Sequence, residues 1–229
     1  MISVVIPTLN SQAGLPAVLA RLVPAAVDGL VREVIIVDGG SGDGTTAIAD
    51  QTGARLLTCE RGRGKQLAAG ARHARFPWLL FLHADTALEE GWEREALAFV
   101  GQVDSGERSL GAAAFRFTLD DQGLRPRMLE RLVALRCNLL GLPYGDQGLL
   151  IPKRLYDALG GYRPLALMED VDLVRRLGRR RINMFRSRAI TSAERFRDDG
   201  YVHRSARNLL CLTLYLLRVP ISTIQRIYG

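Results

Sequence analysis

The sequence predicts an α/β fold with a mostly parallel central sheet flanked by helices. Apolar runs of strand length alternate with segments whose apolar residues recur at a helical period. Four such runs fall within the first 82 residues. Alternation of this kind is typical of a parallel sheet covered by helices.

The elements expected up to residue 100 follow this alternation. In chain order they are an apolar strand at 2–6, a helix with one leucine- and valine-rich face at 11–28, a strand at 33–37, a short helix at 45–52 stopped by Gly53, a strand at 54–58, an alanine-rich helix at 64–74, a strand at 78–82 and a helix at 89–100. The strand WLLFL is the most hydrophobic, as expected for burial on both faces.

The alternation weakens after about residue 105. We expect an extended stretch at 110–119, an amphipathic helix at 127–140 and a helical segment from Val202 onward. No repeat, low-complexity segment or linker divides the chain, so one domain with two unequal halves is expected.

Composition and charge limit the classes of partner. The 229 residues are 48% hydrophobic, which suits an ordinary globular protein with a substantial core, and the formal charge of +7 suits nucleotides, phosphates, nucleic acid or an acidic lipid surface. The three cysteines show no paired spacing that would indicate disulfides or zinc. No basic leader precedes the first strand, so we expect a cytoplasmic protein that starts at Met1.

Ligands of doubly wound sheets lie beyond the carboxyl ends of the strands. These ends read PTLN, VDGGSGDGT, CERGRGKQ and HADT. Asp38 and the glycines after it could hold a base or ribose against bare backbone, or form only a capped turn. The cations and glycines of RGRGKQ could cradle phosphate charge before a helix, or form a solvated loop.

Two acidic stretches are candidates for catalysis. Asp85 could bind a divalent cation that carries phosphates, although it or Thr86 could instead cap the helix expected from Glu89. In MEDVDL, at 168–173, the acids could include a general base at a pocket mouth, or could simply favour the N-terminus of a helix. The chain lacks both a GxGxxG after the first strand and a phosphate-loop ending, which disfavours a Rossmann dehydrogenase.

Six stretches in order, PTLN, VDGGSGDGT, RGRGKQLAAG, LFLHADT, GDQG and GGYRPLALMEDVDL, resemble family-2 glycosyltransferases with the glycosyltransferase-A fold. The resemblance covers about residues 2–190 and implies a nucleotide-diphospho-sugar transferase. It implies a glycosyltransferase domain at 1–200, with a nucleotide-donor half at 1–86 and an acceptor half at 87–200, and a helical extension at 201–229.

The resemblance also implies an activity and a set of donor contacts. A sugar would pass from a nucleoside diphosphate, usually a uridine one, to an acceptor hydroxyl with inversion, as in a hexosyltransferase. The residues that match donor-binding positions of the family are Pro7, Thr8, Asn10, Asp38, Gly39, Arg61, Gly64, Gln66, His83 and Asp85.

The metal and the base are implied in the same way. The DxD motif of the family falls on His83, Ala84 and Asp85, so its first acid is replaced here. Asp85 would reach a divalent metal, Mn²⁺ or Mg²⁺, and His203 matches a histidine that serves as a further metal ligand in many such enzymes.

The catalytic acids implied by the resemblance are the pair Glu169 and Asp170, with Asp170 as the base that deprotonates the acceptor. Asp146 and Gln147 of GDQG lie on the acceptor side in this family. The acceptor itself is not identified by these residues.

The C-terminal part of the chain is basic and apolar. Seven arginines lie between 175 and 188, and the run LLCLTLYLL at 209–217 is too short to span a bilayer. This segment could lie on an anionic membrane at the inner face of the cell membrane, near a lipid-linked acceptor, or could form a homodimer interface or a lid.

Two other function classes share some of these sequence features. A sugar nucleotidyltransferase would be expected to carry a glycine-rich basic signature after the first strand, and PTLNSQAG does not supply it. A non-catalytic module that binds a membrane or nucleic acid could use the arginines, but no aromatic residues are interleaved with them. We therefore expect a nucleotide-sugar donor as partner and no nucleic acid.

Overall fold

The computed structural model describes residues 1–228 and contains one eight-stranded sheet covered by helices. The strands are β1 (Ile2–Thr8), β2 (Val31–Asp38), β3 (Arg55–Thr58), β4 (Trp78–Phe81), β5 (Thr86–Leu88), β6 (Ala112–Leu119), β7 (Leu149–Pro152) and β8 (Ile182–Thr191).

The helices lie between and after these strands. They are α1 (Leu15–Ala20), α2 (Val23–Val27), α3 (Thr45–Gln51), α4 (Arg63–His73), α5 (Trp92–Asp104), α6 (Leu124–Leu140), α7 (Lys153–Ala158), α8 (Glu169–Leu177), α9 (Glu194–Asp199), α10 (Tyr201–Leu216) and α11 (Ile221–Tyr228). Two short 3₁₀ turns cover Gly145–Gln147 and Arg179–Arg181.

The sheet order is β3-β2-β1-β4-β7-β6-β8-β5. The first four strands in this order are parallel, β6 and β8 are parallel to each other, and only β7 and β5 run against the others. The expected α/β fold with a mostly parallel sheet flanked by helices is therefore confirmed.

The order of the strands places a crevice at one edge of the sheet. The chain adds β2 and β3 on one side of β1 and then returns to add β4 on its other side. Thr8, at the end of β1, is in register with Asp38, and Val5 is in register with Phe81. The carboxyl ends of β1 and β4 thus open where the order reverses, which is where ligands of such sheets bind.

Two expectations for local structure were wrong. The helix expected at 11–28 is the pair α1 and α2, and Pro24, which has no N–H to donate, lies in the first turn of the second helix. The helix expected from 89 begins at Trp92, because residues 86–88 form β5 and Gly91, with φ 83°, precedes the helix. Neither Asp85 nor Thr86 caps that helix.

The core lies on both faces of the sheet. All four residues of β4 are buried, as its hydrophobicity predicts, and Trp78 and Phe81 contribute to different clusters. Both faces of the sheet are therefore covered, which fixes the strand ends that border the crevice.

The last two helices pack against the rest of the chain. Cys211, Leu212 and Ile224 form a cluster with Met168 and Val171 at the beginning of α8. None of the helices between residues 1 and 228 combines the length and hydropathy needed to cross a membrane.

Candidate active site

A cleft of about 640 Å³ opens at the ends of β1 and β4. Pro7, Thr8 and Asn10 line it on one side, and His83 and Asp85 line it on the other. A smaller cavity of about 120 Å³ adjoins it and shares several lining residues. The residues lining both are Arg63, His83, Asp85, Leu167, Glu169, Ser192, Arg195 and Tyr228.

The structure brings distant carboxylates together. Asp85, which follows β4, lines the smaller cavity with Asp170, in the first turn of α8, and with Asp146 from the 3₁₀ turn. A separate cavity of about 590 Å³ borders α4 and residues 156–164 and holds none of these three acids.

Asp170 is held by backbone groups. Its Oδ2 accepts a hydrogen bond from the Gly145 N–H at 2.7 Å, and its Oδ1 accepts one from the Val171 N–H at 2.7 Å. The first bond ties α8 to the turn that carries Asp146. Each oxygen of Asp170 retains capacity to accept another proton donor.

Two neighbouring acids have raised pKa values. Burial, together with the charge of Asp170, raises the pKa of Glu169 to about 7, although Arg63 acts in the opposite direction. Burial also raises the pKa of Asp146 to about 6; Arg136 opposes this increase, and Asp170 and Asp85 add to it. Glu169 Oε1 and Asp146 Oδ1 are buried without a hydrogen-bond partner among the described residues.

Arg63 forms an ion pair with Glu169. Its Nη1 lies 3.5 Å from Glu169 Oε1. Burial lowers its pKa, but the carboxylates of Glu169, Asp170 and Asp85 raise it above the ordinary value. The resemblance implied a donor contact for Arg61 of the same RGRGKQ stretch and none for Arg63, although an arginine at the start of a helix beside the pocket was a usable signal.

Arg61 is exposed at the mouth of the larger cleft and forms no ion pair with another residue in the part of the chain that the structure describes. Arg195, from α9, lines both cavities. No feature of the sequence pointed to Arg195, since its position depends on how α9 follows β8.

His83 is half-buried and lines both cavities. Burial, with the nearby Arg63 guanidinium, lowers its pKa to about 4, while Asp85 and Asp170 oppose the shift. The imidazole is therefore neutral near pH 7. It lies beside Gly145, where an added Cβ would come within 2.5 Å of His83 Nε2.

The structure does not bring His203 to this site. His203 is exposed on α10 and lines neither cavity. Within residues 1–228 no group of three or more His, Cys, Asp or Glu side chains is arranged to hold a metal ion. The structure therefore gives no support to the prediction that His203 joins Asp85 in a metal site, because its position on α10 turns it toward solvent.

The side chain of Asp38 accepts hydrogen bonds that close the turn after β2. Its carboxylate is 2% exposed and accepts hydrogen bonds from the Thr8 hydroxyl at 2.9 Å, from the Gly40 and Ser41 N–H groups at 2.9 and 2.8 Å, and from the Ser41 hydroxyl at 2.5 Å. Burial raises its pKa, but these hydrogen bonds outweigh burial and lower it. Asp38 does not line the cleft, so the geometry favours the capped-turn interpretation over direct contact with a ligand.

Asn10 and Gly39 belong to the same turn region. Asn10, with φ 50°, accepts a hydrogen bond from the Gly42 N–H at 2.9 Å and lines the larger cleft. Gly39 donates its N–H to the Thr8 carbonyl at 2.9 Å. A Cβ at Gly39 would lie 3.2 Å from Gln66 Nε2, so this glycine allows close packing with Gln66.

Gln66 and Gly64 contact backbone carbonyls of other segments of the protein. The Gln66 amide donates to the carbonyls of Thr8 and Val37, both at 2.8 Å, and so bridges the ends of β1 and β2. Gly64 is buried against the Arg163 and Leu165 carbonyls, where no Cβ fits. Gln66 also borders the larger cleft, whereas Gly64 does not line it.

Gln147 was expected on the acceptor side, but it is only 1% exposed, and both ends of its side-chain amide form hydrogen bonds within the protein. Its amide donates to the Phe115 carbonyl at 3.0 Å, and its Oε1 accepts from Arg136 at 3.1 Å and from the Tyr144 N–H at 3.2 Å. Gln147 therefore fixes the turn that presents Asp146 and does not line the smaller cavity. The expectation of acceptor contact from Gln147 is not supported.

The C-terminal helices form one wall of the site. Asn208, from α10, lines the smaller cavity, Gln225 lines the larger cleft, and Tyr228 lines both. Arg204 and Arg207 pair with Asp199 at 2.7 and 2.5 Å. These contacts fit the lid interpretation of the segment, and they turn two of its arginines away from the surface.

Residues 3–106 match the family model described as Glycosyl transferase family 2. The PGL/p-HBAD biosynthesis glycosyltransferase of Mycobacterium bovis (strain BCG / Pasteur 1173P2) is 34% identical over 132 residues, which cover 52% of this chain and 48% of that protein. The chain therefore spans about half the length of the curated relatives it matches.

Solved structures are similar over more of the chain. Glucosyl-3-phosphoglycerate synthase from Mycobacterium tuberculosis, in complex with Mn²⁺, UDP and glucosyl-3-phosphoglycerate, superposes with a TM-score of 0.58 at 25% identity and covers 84% of this chain and 70% of that one. S. aureus TarS 1-349 superposes with a TM-score of 0.65 at 16% identity, covering 99% and 69% of the two chains, and indicates a shared fold.

Asp38→Ala should lower the free energy of unfolding by about 2–3 kcal/mol, because it leaves buried hydroxyl and N–H donors without an acceptor. Urea denaturation measures the change. Asp50→Ala, at an exposed position of α3, is the control and should change stability little. A variant as stable as the wild type that has lost only nucleotide binding would contradict the turn role.

Glu169→Gln should flatten the dependence of stability on pH. Glu169 has a pKa of about 7 in the folded protein against 4.5 ordinarily, so the folded state binds more protons than the unfolded state between these values. The free energy of unfolding of the wild type should therefore fall as pH rises through this window, by up to about 1.4 kcal/mol per pH unit for this group. Denaturation curves across the window measure the slope.

The matched control is Glu107→Gln, at an exposed glutamate. It should keep the slope of the wild type. An unchanged slope in Glu169→Gln would mean that Glu169 titrates as an ordinary exposed glutamate.

Proposed function

Since residues 3–106 place the chain in glycosyltransferase family 2 and its architecture is the glycosyltransferase-A fold, we propose that it transfers a sugar from a uridine diphosphate donor to an acceptor hydroxyl, with inversion. The observation that carries the proposal is the convergence of Asp85 and Asp170 on one cavity. The UDP and Mn²⁺ complex of the structurally similar synthase supports the choice of donor.

The donor nucleotide fits the larger cleft. Pro7, Thr8 and Asn10 offer backbone and amide groups at the end of β1, and the cleft of about 640 Å³ is within the range of ligand-sized pockets. Gln66 and Asp38 would act here by fixing the strand ends, so that the wall which receives the nucleotide is rigid.

Asp85 is the residue that would hold a divalent cation. Hard cations prefer oxygen ligands, and Mg²⁺ in particular often uses one or two carboxylates together with phosphate oxygens. Asp85 and the unpartnered Asp146 Oδ1 offer such oxygens, so the donor set fits even though the chain does not form a complete cage. The cation would supply charge neutralisation at the diphosphate.

Asp170 is proposed as the base. Its backbone hydrogen bonds hold the carboxylate in one orientation beside the cavity. An acceptor hydroxyl would donate to Asp170 as its oxygen attacks the anomeric carbon, on the side opposite to the departing diphosphate. The proton passes to Asp170 in the transition state, and no covalent sugar intermediate is needed.

The guanidinium groups would stabilise the leaving diphosphate. Arg63 lies between the two cavities, and Arg61 is free at the mouth of the larger one. Negative charge that develops on the leaving group is attracted to both side chains in a partly desolvated site. Glu169 positions Arg63 through the 3.5 Å contact.

The acceptor would enter by the smaller cavity, where Tyr144 and Asp146 lie near Asp170. We propose a lipid-linked alcohol as the acceptor, because apolar side chains, among them Leu167, Met168 and Phe196, line the smaller cavity beside Asp170. The name of the structurally similar synthase suggests a phosphorylated acid as the alternative.

A thermal-shift experiment tests the donor assignment. UDP with Mn²⁺ should raise the melting temperature of the wild type, since a ligand at 100 times its Kd stabilises by about 2.7 kcal/mol. Asp85→Ala should lose the part of the shift that depends on Mn²⁺, and His203→Ala should keep it. An equal shift from ADP or GDP would contradict uridine specificity, and no shift with any nucleoside diphosphate would contradict the proposed function.

Asp170→Asn should lower kcat by roughly 10²–10⁴-fold with little change in the KM for the donor, because the amide cannot accept the proton. Release of UDP from UDP-glucose in the presence of candidate alcohols measures both constants. Asp198→Asn, at an exposed aspartate of α9, should retain wild-type kinetics. Full activity of Asp170→Asn would exclude this residue as the base.

A further inference from the structure

Helix α6 carries an apolar face that no other part of residues 1–228 covers. Six of its side chains are between 53% and 83% exposed, and their spacing of mostly three or four residues places them along one side of the helix. They are Leu124, Met128, Leu132, Leu135, Leu139 and Leu140. We call these six residues the outer face of α6. An apolar surface of this extent usually marks an interaction site.

The opposite side of α6 is firmly packed. Val133 and Cys137 form a cluster with Phe117 and Leu119 of β6 and with Phe196 of α9. The helix therefore needs no further burial to be held in place. Its outer face adds apolar surface that the fold does not use.

Positive charge borders the outer face. Arg125 and Arg131 are exposed on α6 itself, and the triplet Arg179–Arg181 lies at its C-terminal end, where Arg179 donates to the Asn138 carbonyl at 2.8 Å. Among residues 1–228, Arg125, Arg131, Arg180 and Arg181 form no ion pair.

Negative charge is nearly absent from the same helix. Glu130 is its only acid, and it is turned inward, 2.6 Å from Arg127, where it also accepts the Leu119 N–H at 2.9 Å. The nearest acids before the helix are engaged as well, since Asp120 accepts the Ala193 N–H and Asp121 accepts the Tyr201 hydroxyl.

We propose that the outer face of α6 docks on an anionic lipid bilayer, with its leucines at the acyl boundary and the bordering arginines among the headgroups. An apolar stripe with a basic border is the pattern of helices that lie in a membrane interface. Each arginine near an anionic surface adds attraction that salt weakens.

A second copy of the chain is a poorer occupant. A two-fold interface would bring the same surface of both copies together, so the exposed arginines of one copy would face those of the other. With Glu130 turned inward, the outer face offers no carboxylate to balance them. An anionic bilayer supplies both the apolar interior and the negative charge.

Docking through α6 would bring the smaller cavity close to the lipid. Arg136 of α6 stacks on the Tyr144 ring, 3.4 Å from its centroid, and Tyr144 lines the cavity that contains Asp146 and Asp170. This consequence, delivery of a lipid-linked acceptor, rests on the proposed function, whereas docking itself does not depend on it.

Flotation of the full chain with vesicles tests the proposal. The protein should float with vesicles of equimolar phosphatidylglycerol and phosphatidylcholine, float much less with phosphatidylcholine alone, and dissociate at high salt. Leu132→Glu with Leu135→Glu should lower the bound fraction by about tenfold or more, as should Arg125→Glu with Arg131→Glu, which leaves the apolar face intact.

Leu97→Glu is the matched control, because Leu97 is similarly exposed but lies on α5. It should bind as the wild type does, and all variants should keep the melting temperature and the UDP-induced shift of the wild type. No flotation with anionic vesicles, or equal flotation of the α6 variants and the wild type, would overturn the proposal. A dimer in light scattering that the α6 leucine variant dissociates, without vesicle binding, would identify a second copy as the occupant.

Because flotation and the UDP-induced shift are separate measurements, the two proposals can fail independently. If the protein floats but UDP does not raise its melting temperature, membrane docking is supported and the proposed donor is contradicted. If UDP raises the melting temperature but the protein does not float, the donor is supported and docking is contradicted.

Discussion

The burial of several carboxylates at one edge of the sheet is the constraint on which the rest of the site depends. Glu169 and Asp146 each have a buried oxygen without a hydrogen-bond partner, and burial raises the pKa values of both carboxyl groups. A folded chain tolerates such burial only where a cation compensates the charge or the group retains its proton. Arg63 provides compensation for Glu169, while the neutral His83 adds no charge. Asp146 forms no ion pair among residues 1–228, and its unbonded oxygen suits the proposed binding of a cation with a diphosphate.

Several polar residues of the sequence motifs hold the backbone around the cleft in place. Asp38 closes the turn after β2, Gln66 bridges the ends of β1 and β2, and Gln147 fixes the turn that carries Asp146. A buried polar side chain with satisfied hydrogen bonds rigidifies its surroundings. These residues match family positions in the sequence, and in the structure they act mainly on the backbone around the proposed ligand. Residues with free polar groups, such as Asp85 and Arg61, are the ones left to face it.

Helices α10 and α11 close the site, whereas α6 leaves a surface uncovered. Tyr228 and Asn208 complete the cavities because Cys211, Leu212 and Ile224 pack on the beginning of α8. This packing and the pairing of Arg204 and Arg207 with Asp199 fit a lid for α10 better than a basic membrane face. The uncovered apolar and basic surface is instead on α6, where the periodicity of the sequence indicates an amphipathic helix but cannot say which side the protein covers.

The sequence by itself determined the α/β class, the order of the first strands and the stretches that surround the cleft, because apolar periodicity and strand-end residues are local properties. The resemblance of its motifs to family-2 glycosyltransferases further implied that Asp85 and Asp170 act at one site. Only the tertiary structure decided that Asp38 and Gln147 are enclosed, that His203 faces solvent and that Arg63 and Arg195 reach the cavities. The atoms that a side chain contacts belong to segments far apart in the sequence. A local sequence pattern does not say how close those segments lie in the fold or which way the side chain points.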